Sequence, residues 1–405
     1  MKKFRKAASV VLAALMTASM VAGCGSSASQ GSGSGETAGS AASEAAGASG
    51  DAAFKIGVIG PLTGGAAAYG TCVANSAQLA VDEINAAGGV NGYRLELKSE
   101  DDELDAQKSV NAYNTLKDWG MQMLLGSVTS ACSLAVSEET KADNMFQLTP
   151  SGSAKECVQY DNVFRVCFSD PAQGTASAEY IGQHKLASKV GIIYDSSDVY
   201  SSGIATNFVA EAANQGFEVV SQEAFTADNN TDFSVQLQKA KDGGAELVFL
   251  PIYYKEASLI LQQADKMGYK PTFFGCDGLD GILGVENFDA SLAEGTMLLT
   301  PFAADATDDL TVNFVTKYKE LYGETPNQFG ADAYDGVYAI KAAIEKGAIT
   351  PEAGVSGICE SLKKTMTEIS VDGLTSEGMT WDATGEPNKS PKAVVIKDGA
   401  YVSAE

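Results

Sequence analysis

Four hydroxyl side chains crowd into "LLGSVTSACS", residues 124–133: Ser127, Thr129, Ser130 and Ser133. The apolar start reads as a buried strand and the remainder as the opening of a helix. Two chemistries suit hydroxyls at such a junction. One is a serine nucleophile; the other is a cradle in which hydroxyls and the free N–H groups of a helix start hold an anion. A serine hydrolase needs a base beside its nucleophile. The chain has a single histidine, His184, in the helical stretch "IGQHKLASK" of the other half, and it has no G-x-S-x-G elbow. No S-x-x-K lies at the hydroxyl loop. The hydroxyls therefore read as binding groups, and no catalytic residue is assigned.

Similar junctions recur at other strand ends: "TPSGSA" with Ser151 and Ser153, "YDSSDVYSSG" with Tyr200, "PIYYKE" with Tyr253 and Tyr254, and "GCDG" with Asp277. Hydroxyls come from the first half of the chain, tyrosines and one carboxylate from the second. Hydroxyls at a helix start suit a carboxylate, and a lone Asp in a Gly-flanked loop could hold an ammonium. Together they suit a zwitterion whose side chain lies against tyrosine rings. Taken singly, each has a plainer reading, as a helix cap or a packed ring.

The elements that must position these groups follow from hydrophobic periodicity. From Phe54, short apolar runs ("FKIGVIG", "YRLELKSED", "MQMLLG", "MFQLTP") alternate with helical patterns, which indicates βαβ units and a parallel sheet. The pattern begins afresh with the helix "AQGTASAEYIGQHKL" and the strands "KVGIIYD", "FEVVSQEAF", "AELVFLPIY" and "PTFFGCDG". Two late helices, "LTVNFVTKYKELYG" and "AYDGVYAIKAAIEKG", follow the turn "LLTPFAAD". The end, "MTWDATGE…KAVVIKDGAYV", reads as a β-hairpin. The expected fold class is α/β, two Rossmann-like lobes with parallel sheets joined by a multi-strand hinge. The lobes are expected at 53–170 with 304–376, and at 171–303 with 377–405. Ligands of open α/β sheets bind beyond the carboxyl ends of the strands, so two facing sheets define a cleft.

Composition narrows the partners. Of 405 residues, 45% are apolar and 20% charged, as in ordinary globular chains. The formal charge is -24, and removing Lys2, Lys3, Arg5 and Lys6 would take it to -28. Such acidity argues against nucleic acid, whose phosphates need Lys and Arg. Those four residues open a basic head followed by the short apolar run "AASVVLAALMTASMVAG", a secretory signal over 1–23 rather than a membrane span. The junction "VAGC" resembles the lipobox of bacterial lipoproteins, which would place a lipid on Cys24. Residues 24–52, rich in Gly, Ser and Ala, read as a flexible tether. The expected location is extracytoplasmic, lipid-anchored to the bacterial cell membrane.

"GVIGPLTGGAAAYG" has only loosely the glycines of a nucleotide turn, and the acidic cluster "SEDDE" comes too late for a dinucleotide fingerprint. No C-x-x-C exists, so no metal site and no cofactor are expected. Six cysteines remain after Cys24. Cys157 and Cys167 bracket "VQYDNVFRV", and Cys72 and Cys132 fall near cleft loops of one lobe. Either pair could be a disulfide in an oxidising compartment, or two small buried thiols.

From Phe54 to its end the chain resembles the periplasmic leucine/isoleucine/valine-binding proteins, the substrate-binding components of ABC importers with the type I periplasmic binding protein fold. The stretches that carry the likeness are "IGVIGPLTGGAAAYG", "AVDEINAAGGVNGYRLEL", "LLGSVTSACS", "LTPSGSA", "DPAQGTASAEYI" and "EGMTWDATGE", in order along the chain. The resemblance implies that Ser130 and Ser153 hold a ligand carboxylate. It implies that Asp277 and the backbone at Ser151 take the ammonium, and that Tyr69, Tyr200, Tyr253 and Phe329 line the cleft. It also implies a monomer that delivers a branched-chain or other neutral aliphatic amino acid to an ABC permease. Amides, aromatic amino acids, other small metabolites or a sensory role are the alternatives. Asp277 stands where relatives usually carry Glu, Thr129 where some carry cysteine, and Pro251 where glycine is common.

Overall fold

The computed structural model describes residues 52–404. Cys24 and the predicted signal and tether lie outside the described residues, apart from Ala52. The first half runs β1 (Ala53–Gly60), α1 (Ala67–Ala86), β2 (Arg94–Asp101), α2 (Ala106–Trp119), β3 (Met123–Gly126), α3 (Ser130–Asp143), β4 (Phe146–Thr149) and β5 (Val163–Arg165). These strands form one parallel sheet in the order β2-β1-β3-β4-β5. β3 and β4 are buried along their whole length, because helices cover both faces of a parallel sheet.

The chain then continues as α4 (Asp170–Gln183), β6 (Lys189–Asp195), α5 (Val199–Ala212), β7 (Glu218–Phe225), α6 (Ser234–Asp242), β8 (Leu247–Leu250), α7 (Tyr254–Lys266), β9 (Thr272–Gly275) and β10 (Met297–Thr300). Three helices follow: α8 (Asp309–Tyr322), α9 (Gln328–Lys346) and α10 (Gly354–Met366). Last come β11 (Lys392–Lys397) and β12 (Ala400–Ser403). The second sheet has the order β12-β11-β10-β9-β8-β6-β7, parallel except for β11 and β12. The two lobes are joined by three crossings: β5 to α4, β10 to α8, and the stretch before β11.

Local signals set several boundaries. Asp105 accepts from the Lys108 N–H at 2.8 Å to start α2, and Gly120 ends it in the left-handed region at φ 91°. Asp398 and Gly399, both at positive φ, make the tight turn between β11 and β12. The sequence reading missed β5, β10 and α10. β5 spans three residues, too short to show a period, and β10 runs into Pro301, so that its end was read as part of the turn "LLTPFAAD". α10 opens on a glycine and carries another inside, which mutes its apolar stripe of Ile358, Leu362 and Met366.

The end of the chain also differs from expectation. The hairpin is "KAVVIKDGAYV" alone. "MTWDATGE" instead packs on the edge of the first sheet, through a 2.7 Å bond from Trp381 Nε1 to the Arg165 carbonyl and a 3.0 Å bond from the Arg165 N–H to the Gly385 carbonyl. A side chain at Gly385 would meet the Val163 carbonyl oxygen at 2.4 Å. Residues 378–389 therefore belong with the first lobe, and the crossing falls between Lys389 and Lys392 rather than after residue 376.

That crossing is anchored by a buried ion pair. Lys389 Nζ lies 2.6 Å from Asp332 Oδ1 and 2.6 Å from Thr375 Oγ1, with the two charged side chains 0% and 2% exposed. Burial pushes the Asp332 carboxyl up to about 6, against the pull of Lys389. Removing one partner strands the other charge. Lys389→Ala should lose about 3–5 kcal/mol in urea unfolding, and Lys389→Met with Asp332→Leu should recover most of it. Equal loss in the double variant would show that the pair itself, not the stranded charge, is what matters.

Candidate functional site

β3 and β4 end side by side, and the loops beyond them face the second lobe. α3 starts at Ser130 behind Thr129, whose side chain makes no cap bond, so the first N–H groups of the helix remain available. Ser130 Oγ accepts the N–H groups of Ser153 and Ala154 at 3.1 and 3.0 Å. Both of its acceptor positions are thus used, and its own proton is left to donate. Ser151 Oγ donates to the Val128 carbonyl at 2.6 Å, and Thr149 Oγ1 to the Ser127 carbonyl at 2.7 Å, so the two loops are tied together.

Beneath the second loop lies Arg165, 0% exposed at the end of β5. Nη1 donates to the carbonyls of Gly152 and Ser153 at 3.2 and 2.6 Å, and Nη2 to those of Ala154 and Lys155 at 3.0 and 3.2 Å. Nη2 also lies 3.2 Å from Glu386. One guanidinium therefore draws four successive carbonyls to one side of the loop, and its charge lies under the end of the cleft where the serines gather.

The second lobe supplies the opposite chemistry. Asp277 follows β9 and is 2% exposed. Its Oδ1 accepts from Tyr200 Oη at 2.7 Å and its Oδ2 from Gln173 Nε2 at 2.9 Å, so each oxygen keeps a lone pair for another donor. Tyr200 Oη accepts in turn from the Gly278 N–H at 3.0 Å. A side chain at Gly278 would meet Tyr200 Oη at 2.5 Å, so this close approach requires glycine. Burial pushes the Asp277 carboxyl up to about 7, opposed by the bonds from Tyr200, Gln173 and the Gly278 N–H.

Aromatic rings close the space between. Tyr200 and Tyr253 stack with centroids 5.0 Å apart, while Tyr69 from α1 meets Phe329 at 4.3 Å and Tyr253 at 5.7 Å. The Tyr69 hydroxyl donates to the Gly278 carbonyl and accepts from the Tyr254 N–H at 3.3 Å, latching the first lobe to the second. The cavity lined by Tyr69, Ser130, Ser151, Ser153, Tyr200, Tyr253, Asp277 and Phe329 also includes Val128, Thr129 and Gly278. All eight residues singled out in the sequence thus meet in one place. The cavity holds about 10 Å³, the space of a single water. An amino acid can enter only if the lobes part.

The family model described as periplasmic binding protein matches residues 53–400. The chain is a periplasmic binding protein. It therefore belongs to a family that binds solutes and does not catalyse reactions. Leu/Ile/Val-binding protein homolog 3 of Brucella melitensis is 30% identical over 87% of this chain and 94% of its own length. Leu/Ile/Val-binding protein BraC3 of Rhizobium johnstonii is 31% identical over 83% and 90%. Among solved structures, the branched-chain amino acid transporter substrate-binding protein LivJ of Streptococcus pneumoniae, in complex with isoleucine, superposes with a TM-score of 0.79. It is 28% identical and covers 87% of this chain and 99% of that one. Among the described residues of this periplasmic binding protein, no helix is long and apolar enough to cross a membrane, and no group of His, Cys, Asp and Glu could hold a metal ion.

Of the two readings left open for the cysteines, the structure has the thiols: Cys72, Cys132, Cys157 and Cys167 are all free and buried. They point apart. Cys72 Sγ accepts from the Asn327 N–H at 3.4 Å on one side of α1, while the Cys132 thiol faces Asp102. Cys157 Sγ points at the Ser130 carbonyl, and Cys167 is buried among the charges of Arg165, Asp332 and Lys389. Sequence reasoning also missed Gln173 and Arg165. Gln173 is one turn into a helix with no mark of its own, and Arg165 lies in a three-residue strand that gave no signal. "VFR" did hold one clue, an arginine in an otherwise apolar run.

Two predictions follow from this geometry. In the empty protein the raised Asp277 value means a bound proton at low pH, and that contribution to stability is lost as pH rises through about 7. A ligand ammonium favours the ionised form, so the sign reverses for binding. Affinity for an amino acid should fall roughly tenfold per unit below pH about 7 and level off above it, in calorimetric titrations from pH 5 to pH 8. Asp277→Asn should flatten that dependence. Separately, Tyr69→Phe removes the latch and should weaken ligand binding by about 1–3 kcal/mol, roughly 5- to 150-fold. Unchanged affinity would show that the latch contributes nothing to closure.

Proposed function

We propose that this periplasmic binding protein is the extracytoplasmic, lipid-anchored solute-binding component of an ABC importer. It captures a branched-chain or other neutral aliphatic amino acid between its lobes and delivers it to the permease as a monomer. The anchor is Cys24, which lies outside the described residues. The observation that carries this reading is the opposition of two charges across one aromatic-walled cavity. The first lobe offers the free Ser130 proton, the Ser153 hydroxyl and the N-terminal end of α3, with Arg165 beneath. The second offers the Asp277 carboxylate. A zwitterion bound carboxylate-first satisfies both ends, and its side chain falls among Tyr69, Tyr253 and Phe329.

The named relatives support the ligand class. Two are Leu/Ile/Val-binding proteins or homologues, and LivJ was crystallised with isoleucine. Asp277 has a shorter carboxylate than the Glu of the resembled family, and the bonds from Tyr200 and Gln173 leave a lone pair on each of its oxygens for the same ammonium.

The test is thermal unfolding of the mature chain, refolded free of carried ligand, against the twenty amino acids together with amides and aromatic carboxylates. Binding to the folded state raises the midpoint by mass action. Leucine, isoleucine or valine should raise it. Ser130→Ala should cost about 1.5–3 kcal/mol of binding, roughly 10- to 150-fold, since it removes a donor and strands two N–H groups. A shift only with ligands lacking an ammonium, indifferent to Asp277→Asn, would overturn the assignment.

A further inference from the structure

Asp277, the one carboxylate lining the ligand cavity, is held from α4 as well as from α5. α4 begins at a crossing between the lobes, where the Asp170 N–H donates to the Ser153 carbonyl at 2.8 Å. One turn on, Gln173 is 0% exposed and meets Asp277 twice. Its Nε2 donates to Asp277 Oδ2 at 2.9 Å, and its Oε1 accepts from the Asp277 N–H at 3.4 Å. The second bond fixes the sense of the first. A backbone N–H can only donate, so the amide oxygen faces it and the amide nitrogen faces the carboxylate. A turn later, Ser177 Oγ lies 3.5 Å from Cys276 Sγ, so α4 follows the loop after β9 for two turns. A side chain at Gly174 would meet the Ile204 carbonyl oxygen at 2.5 Å. Glycine there lets α4 and α5 pack closely, and Gln173 and Tyr200 reach the two oxygens of one carboxylate.

A second observation concerns charge. The groups that bond to the Asp277 carboxylate are the Tyr200 hydroxyl, the Gln173 amide and the Gly278 N–H, and all three are neutral. A carboxylate held by lysine or arginine would be in place but already compensated. Held by an amide it is in place with its charge uncompensated, at 2% exposure. Such a buried charge is costly until a cation arrives. The amide thus orients the carboxylate and leaves its charge free for a ligand, which a cationic side chain could not do.

We propose that Gln173 is the positioning residue that sets ligand specificity: its neutral amide holds Asp277 without cancelling its charge, and so makes that end of the cavity select an ammonium. This rests on the binding mode proposed above, with the ligand carboxylate at Ser130 and Ser153 and the ammonium at Asp277. Two consequences separate it from a packing role. A donor to the ionised carboxylate favours that form, so losing it drives Asp277 further up from about 7 and carries the pH dependence of binding with it. A cation in its place cancels the charge, and the preference for an ammonium goes. The other titratable groups facing Asp277 are Tyr69, Cys167, Asp170, Tyr200, Cys276 and Asp332. Gln173 bonds to Asp277 and to none of these, so a change at Gln173 acts on Asp277.

The decisive comparison is leucine against 4-methylpentanoate, the same skeleton without the ammonium, in calorimetric titrations of the mature protein from pH 5 to pH 9. The unaltered protein at pH 8 should prefer leucine at least about tenfold, the worth of one charge-assisted hydrogen bond. Gln173→Met is close in size and has no donor. It should raise the pH above which leucine affinity levels off by about one to two units. Gln173→Lys should lower the leucine preference at least about tenfold. In an Asp277→Asn background, Gln173→Met should have no effect on the pH dependence. An unchanged pH dependence in Gln173→Met, even at uniformly weaker affinity, would overturn the proposal and leave a packing role. So would a leucine preference undiminished in Gln173→Lys, which tests the idea independently of how the methionine variant folds. If the unaltered protein binds 4-methylpentanoate as well as leucine, or binds neither, the binding mode itself falls, and the role of Gln173 with it.

Discussion

A single guanidinium determines how the binding end of this protein is built. Arg165 is fully buried, and its donors take up the carbonyls of residues 152–155. The Ser153 and Ala154 carbonyls also accept the N–H groups of Asp170 and Cys157 at 2.8 and 2.9 Å, so without that charge it is the Gly152 and Lys155 carbonyls that would lose their donor, at a cost of about 1–3 kcal/mol for a buried acceptor. With it, the N–H groups of Ser153 and Ala154 turn to Ser130 Oγ, and the Ser130 hydroxyl keeps its proton to donate. The same residue bonds through its backbone to Gly385 and Trp381 and through its side chain to Glu386. The segment so held continues through the Lys389–Asp332 pair to the final crossing into β11. The serine-bearing loop and one strand of the hinge are thus tied to the same buried cation.

The two lobes divide the chemistry by charge. The first presents donors: hydroxyls, a helix start and a buried positive charge. The second presents an acceptor, Asp277 beside the cleft. Neither lobe alone has a complete site, and only their closure sets the two kinds of group against one another across the aromatic rings. The Tyr69 hydroxyl, bonded to Gly278 and the Tyr254 N–H, makes that closure specific in register. The raised pKa of Asp277 expresses the same division. A carboxylate buried without a cation holds its proton.

Much of this was readable along the chain. Alternating apolar runs and helical periods specify two α/β units, and the place where each run stops marks the strand ends where a ligand must sit. Ser130, Ser151, Ser153, Tyr200, Tyr253 and Asp277 stand at such stops, so position and residue type together were enough to single them out. Tyr69 and Phe329 were named through family likeness, because nothing local distinguishes them from core aromatics.

What periodicity could not carry is anything that depends on which distant segments touch. Gln173 bonds to a residue 104 positions away, and the Trp381 indole reaches Arg165 across 216. The thiols could be paired or free as far as the sequence went; in the fold Cys72 turns to the Asn327 N–H and Cys132 to Asp102, and all four are free and buried. β5 is too short to announce itself, β10 is masked by the turn that follows it, and both exist because neighbouring strands offer them partners. The sequence by itself determined the elements, their order and the chemical character of each strand end, since those arise from local backbone preference and side-chain pattern. Only the tertiary structure decided that a buried arginine organises the serines, that the last crossing begins at Lys389, and that Gln173 holds Asp277. Each of those is a contact between segments far apart in the chain, and long-range packing alone selects it.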